Sequence, residues 1–124
     1  WSCAEDFIKA FWKILNHDVP NDYILSSGET HTIKEMIDIA FNYVGLPLTW
    51  NLNNNIFDTK AYHNDILMIE ISKDYYRDND DLRYFKGDNS ETINKLNWII
   101  ETNFENLIKD MIDNDLKILH AEKE

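Results

Sequence analysis

The sequence predicts a mixed α/β fold in which helices alternate with short strands. Segments whose apolar residues recur at helical spacing alternate with apolar runs that are too short for a helix and have the length of strands. The 124 residues are 44% hydrophobic and 13% aromatic, which is enough for one ordinary core. Because the chain contains no internal repeat and no linker composition, residues 1–124 are expected to form a single domain.

The first two helices are predicted by periodicity and by their end signals. The first spans 4–15 and stops before the turn residues 16–20. The second begins at Thr32-x-x-Glu35, which has the form of a capping box, in which a hydroxyl and a carboxylate each satisfy a free backbone N–H. Gly45 is expected to end this helix in a left-handed conformation.

Two further helices are predicted in the second half of the chain. A short helix follows Gly87, with Asp88-x-x-Glu91 as its expected cap. The last helix follows Thr102-x-x-Glu105, which has the form of another capping box. Its predicted apolar face consists of Phe104, Leu107, Ile108, Met111, Ile112, Leu116 and Leu119.

Three short apolar runs are expected to be strands. The run 23–25 is long enough only for a buried strand, 48–52 alternates as a strand does, and 66–71 is rich in branched residues. The segment 57–65 shows no period, so it is expected to be a surface loop.

The acidic excess limits the expected partners. Twenty-three acidic against 12 basic residues give a formal charge of -11, which repels nucleic acid and anionic membrane surfaces. One well-placed Arg can still hold the phosphate of a bound nucleotide. The single Cys3 cannot form an internal disulfide, and no apolar run approaches the roughly 20 residues that span a bilayer. A reducing, cytoplasmic location is therefore expected.

Several catalytic and cofactor motifs are missing from the sequence. With only three glycines, at 28, 45 and 87, the chain has neither a G-x-G-x-x-G turn nor a phosphate-binding loop, which excludes a self-contained dinucleotide fold. No Tyr is followed four residues later by Lys, which removes the acid–base pair of short-chain dehydrogenases. The four histidines have no second ligand at metal-binding spacing, so no metal is expected.

One local cluster of aromatic and charged residues could bind a nucleotide. Tyr75-Tyr76-Arg77 is followed by the carboxylates Asp78, Asp80 and Asp81. The planar Arg fork suits a phosphate or a purine edge, and a nearby Asp can accept both hydroxyls of a ribose. On local sequence alone, however, a solvated ion-pair cluster is the favoured interpretation.

Five motifs in a fixed order favour the ligand interpretation. They are Trp1-x-x-Ala4-x-Asp6-Phe7, the run 22–35, Asp74-Tyr-Tyr-Arg77, Gly87-Asp88 and Lys95-Leu-Asn-Trp98. Together they resemble the GDP-mannose 4,6-dehydratase family, from Trp1 to about Leu119. Each motif is weak alone, but the ordered set separates this family from other sugar-nucleotide epimerases and dehydratases of the extended short-chain class.

The resemblance implies that the chain is the carboxy-terminal, substrate-binding part of such an enzyme. The family is a group of NADP-dependent lyases that convert GDP-mannose to GDP-4-keto-6-deoxymannose, a step in GDP-fucose biosynthesis. A hydride moves from C4 of the mannose to the cofactor, water is lost across C5 and C6, and the hydride returns at C6. The Rossmann half, with the NADP site and the catalytic residues, would precede Trp1. The chain itself would carry no catalytic residue and no cofactor, and it would be inactive alone.

The resemblance also implies the substrate-binding residues. Arg77 matches a contact to the GDP portion, Trp1 matches a residue at the edge of the nucleotide pocket, and either Asp80 or Asp81 matches the acceptor of the ribose hydroxyls. The choice between the two Asp residues stays open, because the segment 77–87 is one residue longer here than in the family. Asp78 replaces the usual Pro, which puts the rigidity of this loop in doubt.

The sequence leaves two alternatives for the function open and leads to two expectations about partners. The chain could be a stand-alone, non-catalytic binding or interaction module, or the corresponding domain of a related sugar-nucleotide epimerase. Apolar residues that face the Rossmann half in a complete enzyme would be exposed in the isolated chain. The missing half is therefore an expected partner, and homo-oligomer formation through the same patch is a second expectation.

Overall fold

The computed structural model describes residues 1–77 and 85–122. Within these ranges, the chain forms four α-helices, a short 3₁₀ turn and one antiparallel sheet, which confirms the mixed α/β fold class. The order is α1 (Ala4–Leu15), α2 (Ile33–Tyr43), β1 (Thr49–Asn51), the 3₁₀ turn (Ile56–Asp58), β2 (Lys60–His63), β3 (Ile66–Glu70), α3 (Ser90–Leu96) and α4 (Phe104–Ala121).

The core lies between α1, α3 and the chain that follows α3. Ala10, Leu96 and Trp98 are buried at its centre. The partly buried residues Phe7, Ile14, Tyr23, Leu25, Ile93 and Ile100 pack around them. The indole Nε1 of Trp98 donates to the backbone oxygen of Asp6 at 2.9 Å, and the backbone N of Thr102 donates to the Asp6 carboxylate at 3.0 Å. These bonds hold the start of α1 against the segment that leads into α4.

The ends of α1 and α2 agree with the sequence. α1 spans the predicted residues, and α2 begins with the predicted capping box, in which the Thr32 hydroxyl accepts from the backbone N of Glu35. Gly45 follows α2 with φ +78°, so it adopts the left-handed conformation expected of a helix stop.

The predicted caps of α3 and α4 are wrong. α3 begins after Asn89, which makes no side-chain cap, while the Asp88 carboxylate accepts from the backbone N of Ser90 at 3.0 Å. α4 is capped by Asn103, whose side-chain oxygen accepts from the backbone N of Asn106 at 2.8 Å. Because the backbone N of Thr102 is already bonded to Asp6, α4 starts one residue later than the Thr102 box predicts.

The prediction of a surface loop at 57–65 is also wrong. This segment contains β2, the central strand of the sheet, and Ala61 within it is fully buried. β2 and β3 form an antiparallel hairpin, and the two residues of its turn, Asn64 and Asp65, have φ of 48° and 64°. Positive φ at both positions is typical of a two-residue hairpin turn, and Asn and Asp tolerate it better than most residues. The predicted strands 48–52 and 66–71 are present as the slightly shorter β1 and β3.

The predicted strand at 23–25 does not form. This segment joins no sheet, although Tyr23 and Leu25 pack on the core while Ile24 between them is 57% exposed. The side chains therefore alternate as they would in a strand. A strand also needs a hydrogen-bonding neighbour, and the three described strands pair only with one another.

The sheet and α4 are both attached to α2. Trp50 on β1 donates its indole N–H to Asp38 on α2 at 2.6 Å, and the Tyr43 hydroxyl at the end of α2 donates to the Asp113 carboxylate on α4. The predicted apolar face of α4 is only partly covered. Its buried members are Phe104 and Ile108, whereas Met111, Leu116 and Leu119 are exposed. No helix in the described ranges is long and apolar enough to cross a membrane.

Candidate functional site

A small pocket with three aromatic side chains lies where the amino end of the chain meets the loop before α2 and the start of α4. We call it the aromatic pocket; its volume is about 230 Å³. The aromatic side chains are Trp1, His31 and Phe104. The remaining lining residues are Ser2, Ser27, Glu29, Ile100, Thr102, Asn103 and Leu107.

Phe104 organises the aromatic side chains of this pocket. The His31 ring stacks on the Phe104 ring with centroids 3.9 Å apart and an interplanar angle of 5°. The Trp1 ring also stacks on the Phe104 ring, with centroids 5.5 Å apart and an interplanar angle of 21°. Phe104 is buried, whereas Trp1 is 57% exposed. The pocket therefore presents an accessible indole that is backed by a fixed ring, an arrangement that can stack against a planar group.

The rim of the aromatic pocket is acidic. The His31 Nε2 lies 3.2 Å from a carboxylate oxygen of Glu29, and its Nδ1 lies 3.7 Å from Glu35. An adjoining depression of about 410 Å³ shares Glu29 and His31 and adds Glu35, Asp38 and Glu105. Carboxylates accept hydrogen bonds from hydroxyls and repel phosphates, so the chemistry favours an aromatic or hydroxyl-bearing part of a ligand here over its phosphates.

Two carboxylates of the adjoining depression have shifted pKa values. The backbone N–H of Thr32, which donates to Glu35 at 2.7 Å, lowers the pKa of Glu35. Burial opposes ionisation of Asp38, but the hydrogen bonds from Lys34 and Trp50, with the charge of Lys34, lower its pKa below the ordinary value. Both groups are therefore better stabilised as anions in the folded chain than in the unfolded chain.

These lowered pKa values predict acid sensitivity. Their contribution to stability is present above the ordinary pKa values of 4.5 and 3.8, and it is lost as the pH falls through the lower folded-state values. We therefore expect the free energy of unfolding, measured in urea between pH 7 and pH 3, to fall less steeply for the pair Glu35→Gln and Asp38→Asn than for the wild type.

The control for the pH series removes the same charge elsewhere. The pair Glu70→Gln and Asp110→Asn changes two exposed carboxylates outside this depression. Removing any two negative charges weakens the overall repulsion in a chain of net charge -11, and this variant measures that general effect. Equal pH slopes for the two double variants would contradict the prediction.

Arg77 is not among the residues that line the aromatic pocket. Arg77 is exposed on the segment after β3, and the neighbouring Tyr76 packs edge-on against Phe57 with ring centroids 5.1 Å apart. Among the described residues, no hydrogen bond or ring contact joins Arg77 to Trp1. The other predicted substrate contacts, Asp80 and Asp81, lie outside the described residues, as does Asp78.

The sequence did not single out two members of the aromatic pocket. His31 lies in a stretch whose capping role explains it sufficiently, and Phe104 belongs to the apolar face of α4. Trp1, His31 and Phe104 are all aromatic and lie at or shortly before a helix start, but no signal in the sequence shows that these three positions meet. Within the described ranges, no group of three or more His, Cys, Asp or Glu side chains is arranged to hold a metal ion.

Comparison with known proteins identifies one family for this chain. The family model described as GDP-mannose 4,6 dehydratase matches residues 1–111. GDP-mannose 4,6 dehydratase 1 of Arabidopsis thaliana is 34% identical over 123 residues, which are 99% of this chain and 29% of the relative. The Cricetulus griseus and Homo sapiens proteins named GDP-mannose 4,6 dehydratase are 26% and 25% identical, each over 98% of this chain and 32% of its own length. The chain thus spans about a third of the length of these relatives.

Proposed function

Because the chain belongs to the GDP-mannose 4,6 dehydratase family, we propose that it is the substrate-binding portion of such an enzyme and binds the GDP part of GDP-mannose. The observation that supports this most is the match of the family model across 1–111, which includes both Trp1 and Arg77. The enzyme named for the relatives acts on GDP-mannose, so its substrate offers phosphates, a ribose and a planar base to this part of the chain.

The proposal assigns a side chain of suitable chemistry to the diphosphate, to the ribose and to the base of the nucleotide. Arg77 contacts the diphosphate, since its guanidinium can donate two parallel hydrogen bonds to phosphate oxygens. Asp80 or Asp81 accepts from the ribose hydroxyls. The exposed indole of Trp1 stacks on a ring of the nucleotide at the mouth of the aromatic pocket. Two carboxylates support this division, Glu29 at the aromatic pocket and Glu35 in the adjoining depression, because they disfavour phosphate there and leave the diphosphate to Arg77.

The proposal gives this chain no NADP site and no activity alone. An NADP pyrophosphate is held by a glycine-rich turn, and the three glycines here serve other purposes. Gly28, with φ +70°, lies against Asn89, Gly45 with φ +78° ends α2, and Gly87 lies against Ser26. These residues do not fit the cofactor, so the hydride chemistry would belong to the remaining part of the family fold, which makes this segment a contributor to a lyase.

A calorimetric titration tests the proposal. GDP-mannose and GDP are expected to bind the chain saturably, and Arg77→Ala is expected to weaken both by about 10-fold to 100-fold, because hydrogen bonds to a charged group contribute about 1.5–3 kcal/mol. Lys117→Ala on α4 is the matched control, since it removes the same charge from an exposed position. It should leave the dissociation constant unchanged.

Three outcomes of the titration would contradict the proposal. The first is the absence of saturable binding at millimolar ligand, and the second is equal binding by the Arg77→Ala variant and the wild type. The third is equal binding of GDP-mannose and of UDP-glucose, which is titrated in parallel. The last outcome would favour the alternative that the chain is the domain of a related sugar-nucleotide epimerase.

A further inference from the structure

The chain directly before Arg77 is attached to the rest of the fold at one aromatic ring. Residues 73–75 make a turn after β3. Tyr76, which follows this turn, packs edge-on against Phe57 with ring centroids 5.1 Å apart and an interplanar angle of 76°. The Lys73 ammonium lies 5.3 Å from the centroid of the same ring. Phe57 therefore contacts the first residue of the turn and the residue after it.

The two tyrosines before Arg77 differ in their surroundings. Tyr75 is 88% exposed and makes no ring contact with the other described residues, whereas Tyr76 is 41% exposed because it lies on Phe57. An edge-on pair of aromatic rings at this separation is attractive beyond the apolar area that it buries. Tyr76 therefore attaches the backbone directly before Arg77 to the body of the fold.

Phe57 itself is held by the hydrogen bonds of its 3₁₀ turn. The Asn55 side chain accepts from the backbone N of Phe57 at 3.3 Å, and its amide donates to the Asp58 carboxylate at 2.9 Å. The residue after this turn, Thr59, is 9% exposed, and its hydroxyl accepts from the backbone N of Asn53 at 3.2 Å. β2 begins directly after Thr59, so Phe57 is attached to the central strand of the sheet.

An exposed Arg on a loosely held segment binds phosphate at a high entropic cost. Arg77 is exposed, and its side chain loses rotamer freedom when it binds a ligand. Two parallel hydrogen bonds from a guanidinium to phosphate oxygens also require one orientation of its plane. A backbone that is fixed before the ligand arrives removes part of this cost, which is the physical basis of preorganisation.

We propose that Phe57 is a positioning residue for nucleotide binding, which acts through Tyr76 and orients Arg77 toward the diphosphate. This assignment rests on the proposed function, in which Arg77 is the phosphate contact. Phe57 does not touch the ligand. It strengthens binding because it fixes the chain that carries Arg77 before the nucleotide arrives.

The first experiment needs no ligand. ¹⁵N relaxation of the chain measures the order of single backbone amides. In the wild type, the Tyr76 and Arg77 amides should have order parameters of about 0.85, and in the Phe57→Leu variant these should fall below about 0.6, the range of flexible backbone. Phe41→Leu on α2 is the control, since it makes the same change at another half-buried Phe. It should leave both order parameters unchanged.

The second experiment is a calorimetric titration of the same variants with GDP-mannose. Phe57→Leu should raise the dissociation constant about 2-fold to 10-fold, because an edge-on aromatic pair contributes a factor of this size. Phe57→Tyr should restore the wild-type value to within about 2-fold, since it keeps the ring. Phe41→Leu should leave the dissociation constant unchanged.

A double-mutant cycle tests whether Phe57 acts through Tyr76. In the Phe57→Leu background, Tyr76→Leu should not raise the dissociation constant further, because the contact between the two rings is already lost. Independent effects of the two substitutions, which multiply in the double variant, would overturn the proposal. If Phe57→Leu does not fold, Tyr76→Leu alone must show the same loss of order at Arg77 and the same rise in the dissociation constant.

Three results separate this assignment from the proposed function. Equal binding by Phe57→Leu and the wild type, together with weaker binding by Arg77→Ala, would overturn the role of Phe57 and leave the proposed function intact. Equal order parameters at Arg77 in Phe57→Leu and the wild type would also overturn that role. The absence of saturable binding by the wild type would overturn the proposed function and the role of Phe57 with it.

Discussion

Replacing Trp98 with alanine is expected to unfold most of the isolated chain. Trp98 is 1% exposed and lies at the centre of the core with Ala10 and Leu96. Its indole N–H also donates to the backbone oxygen of Asp6, and its ring packs edge-on against Phe7 at 5.8 Å. Truncating a buried aromatic residue to alanine costs about 3–5 kcal/mol, which is comparable to the whole stability of a small domain.

The same substitution at an exposed Trp is the control. Trp12 is 69% exposed, so Trp12→Ala should change the free energy of unfolding by no more than about 0.5 kcal/mol. Trp98→Phe should lie between the two, because it keeps most of the apolar volume and loses the bond to Asp6. Urea unfolding followed by circular dichroism gives all three values. A Trp98→Ala variant as stable as Trp12→Ala would contradict the core described here.

Gly87→Ala is expected to destabilise the chain by about 1–3 kcal/mol, through steric overlap. A Cβ at Gly87 would lie 2.8 Å from the Ser26 Cβ and 2.9 Å from its Oγ. These atoms cannot swing away, because the Ser26 Oγ donates to the Gly87 oxygen at 2.8 Å and the Asn89 side chain donates to the Ser26 oxygen at 2.8 Å. The close contact joins the loop before α2 to the segment before α3.

A double-mutant cycle separates this overlap from other effects of Gly87→Ala. Ser26→Gly alone loses two hydrogen bonds, the one that the Ser26 Oγ donates to the Gly87 oxygen and the one that it accepts from the backbone N of Gly28, and should cost about 1–2 kcal/mol. In the double variant the new methyl group enters space that Ser26 has vacated, so the combined loss of stability should be smaller than the sum by about 1 kcal/mol or more. Urea unfolding of the four proteins measures this coupling. Additive losses would show that the contact between Gly87 and Ser26 does not limit the size of residue 87.

Local signals predicted the elements that depend on local chemistry. α1 and α2 follow from periodicity, and the Thr32 capping box forms as expected because both of its partners lie within one helical turn. The cap of α4 could not be predicted in the same way. The backbone N of Thr102 donates to the carboxylate of Asp6, which lies far away in the sequence, and Asn103 caps the helix instead of Thr102. The decisive contact is tertiary.

The strands also depend on tertiary contacts, because one strand was not predicted from the sequence and one predicted strand does not form. β2 was missed because its four residues have no clear alternation, although Asn64-Asp65 is a usable hairpin signal. The segment 23–25 has the pattern of a strand, but none of the strands in residues 1–77 and 85–122 pairs with it. Of the two predicted site residues that the structure describes, Trp1 lines the aromatic pocket and Arg77 does not. Phe104, which stacks on Trp1, and His31, which stacks on Phe104, had other sufficient explanations, as a core residue and as a residue before a helix start.

A titration of the ¹⁵N-labelled chain with GDP-mannose, followed by NMR, tests directly whether this chain binds the nucleotide. We expect the signals of Arg77 and of the Trp1 indole N–H to shift together, with one dissociation constant. We expect UDP-glucose at the same concentration to shift them much less. Shifts confined to residues away from both positions, or the same response to UDP-glucose, would contradict the claim that this chain binds the GDP part of GDP-mannose.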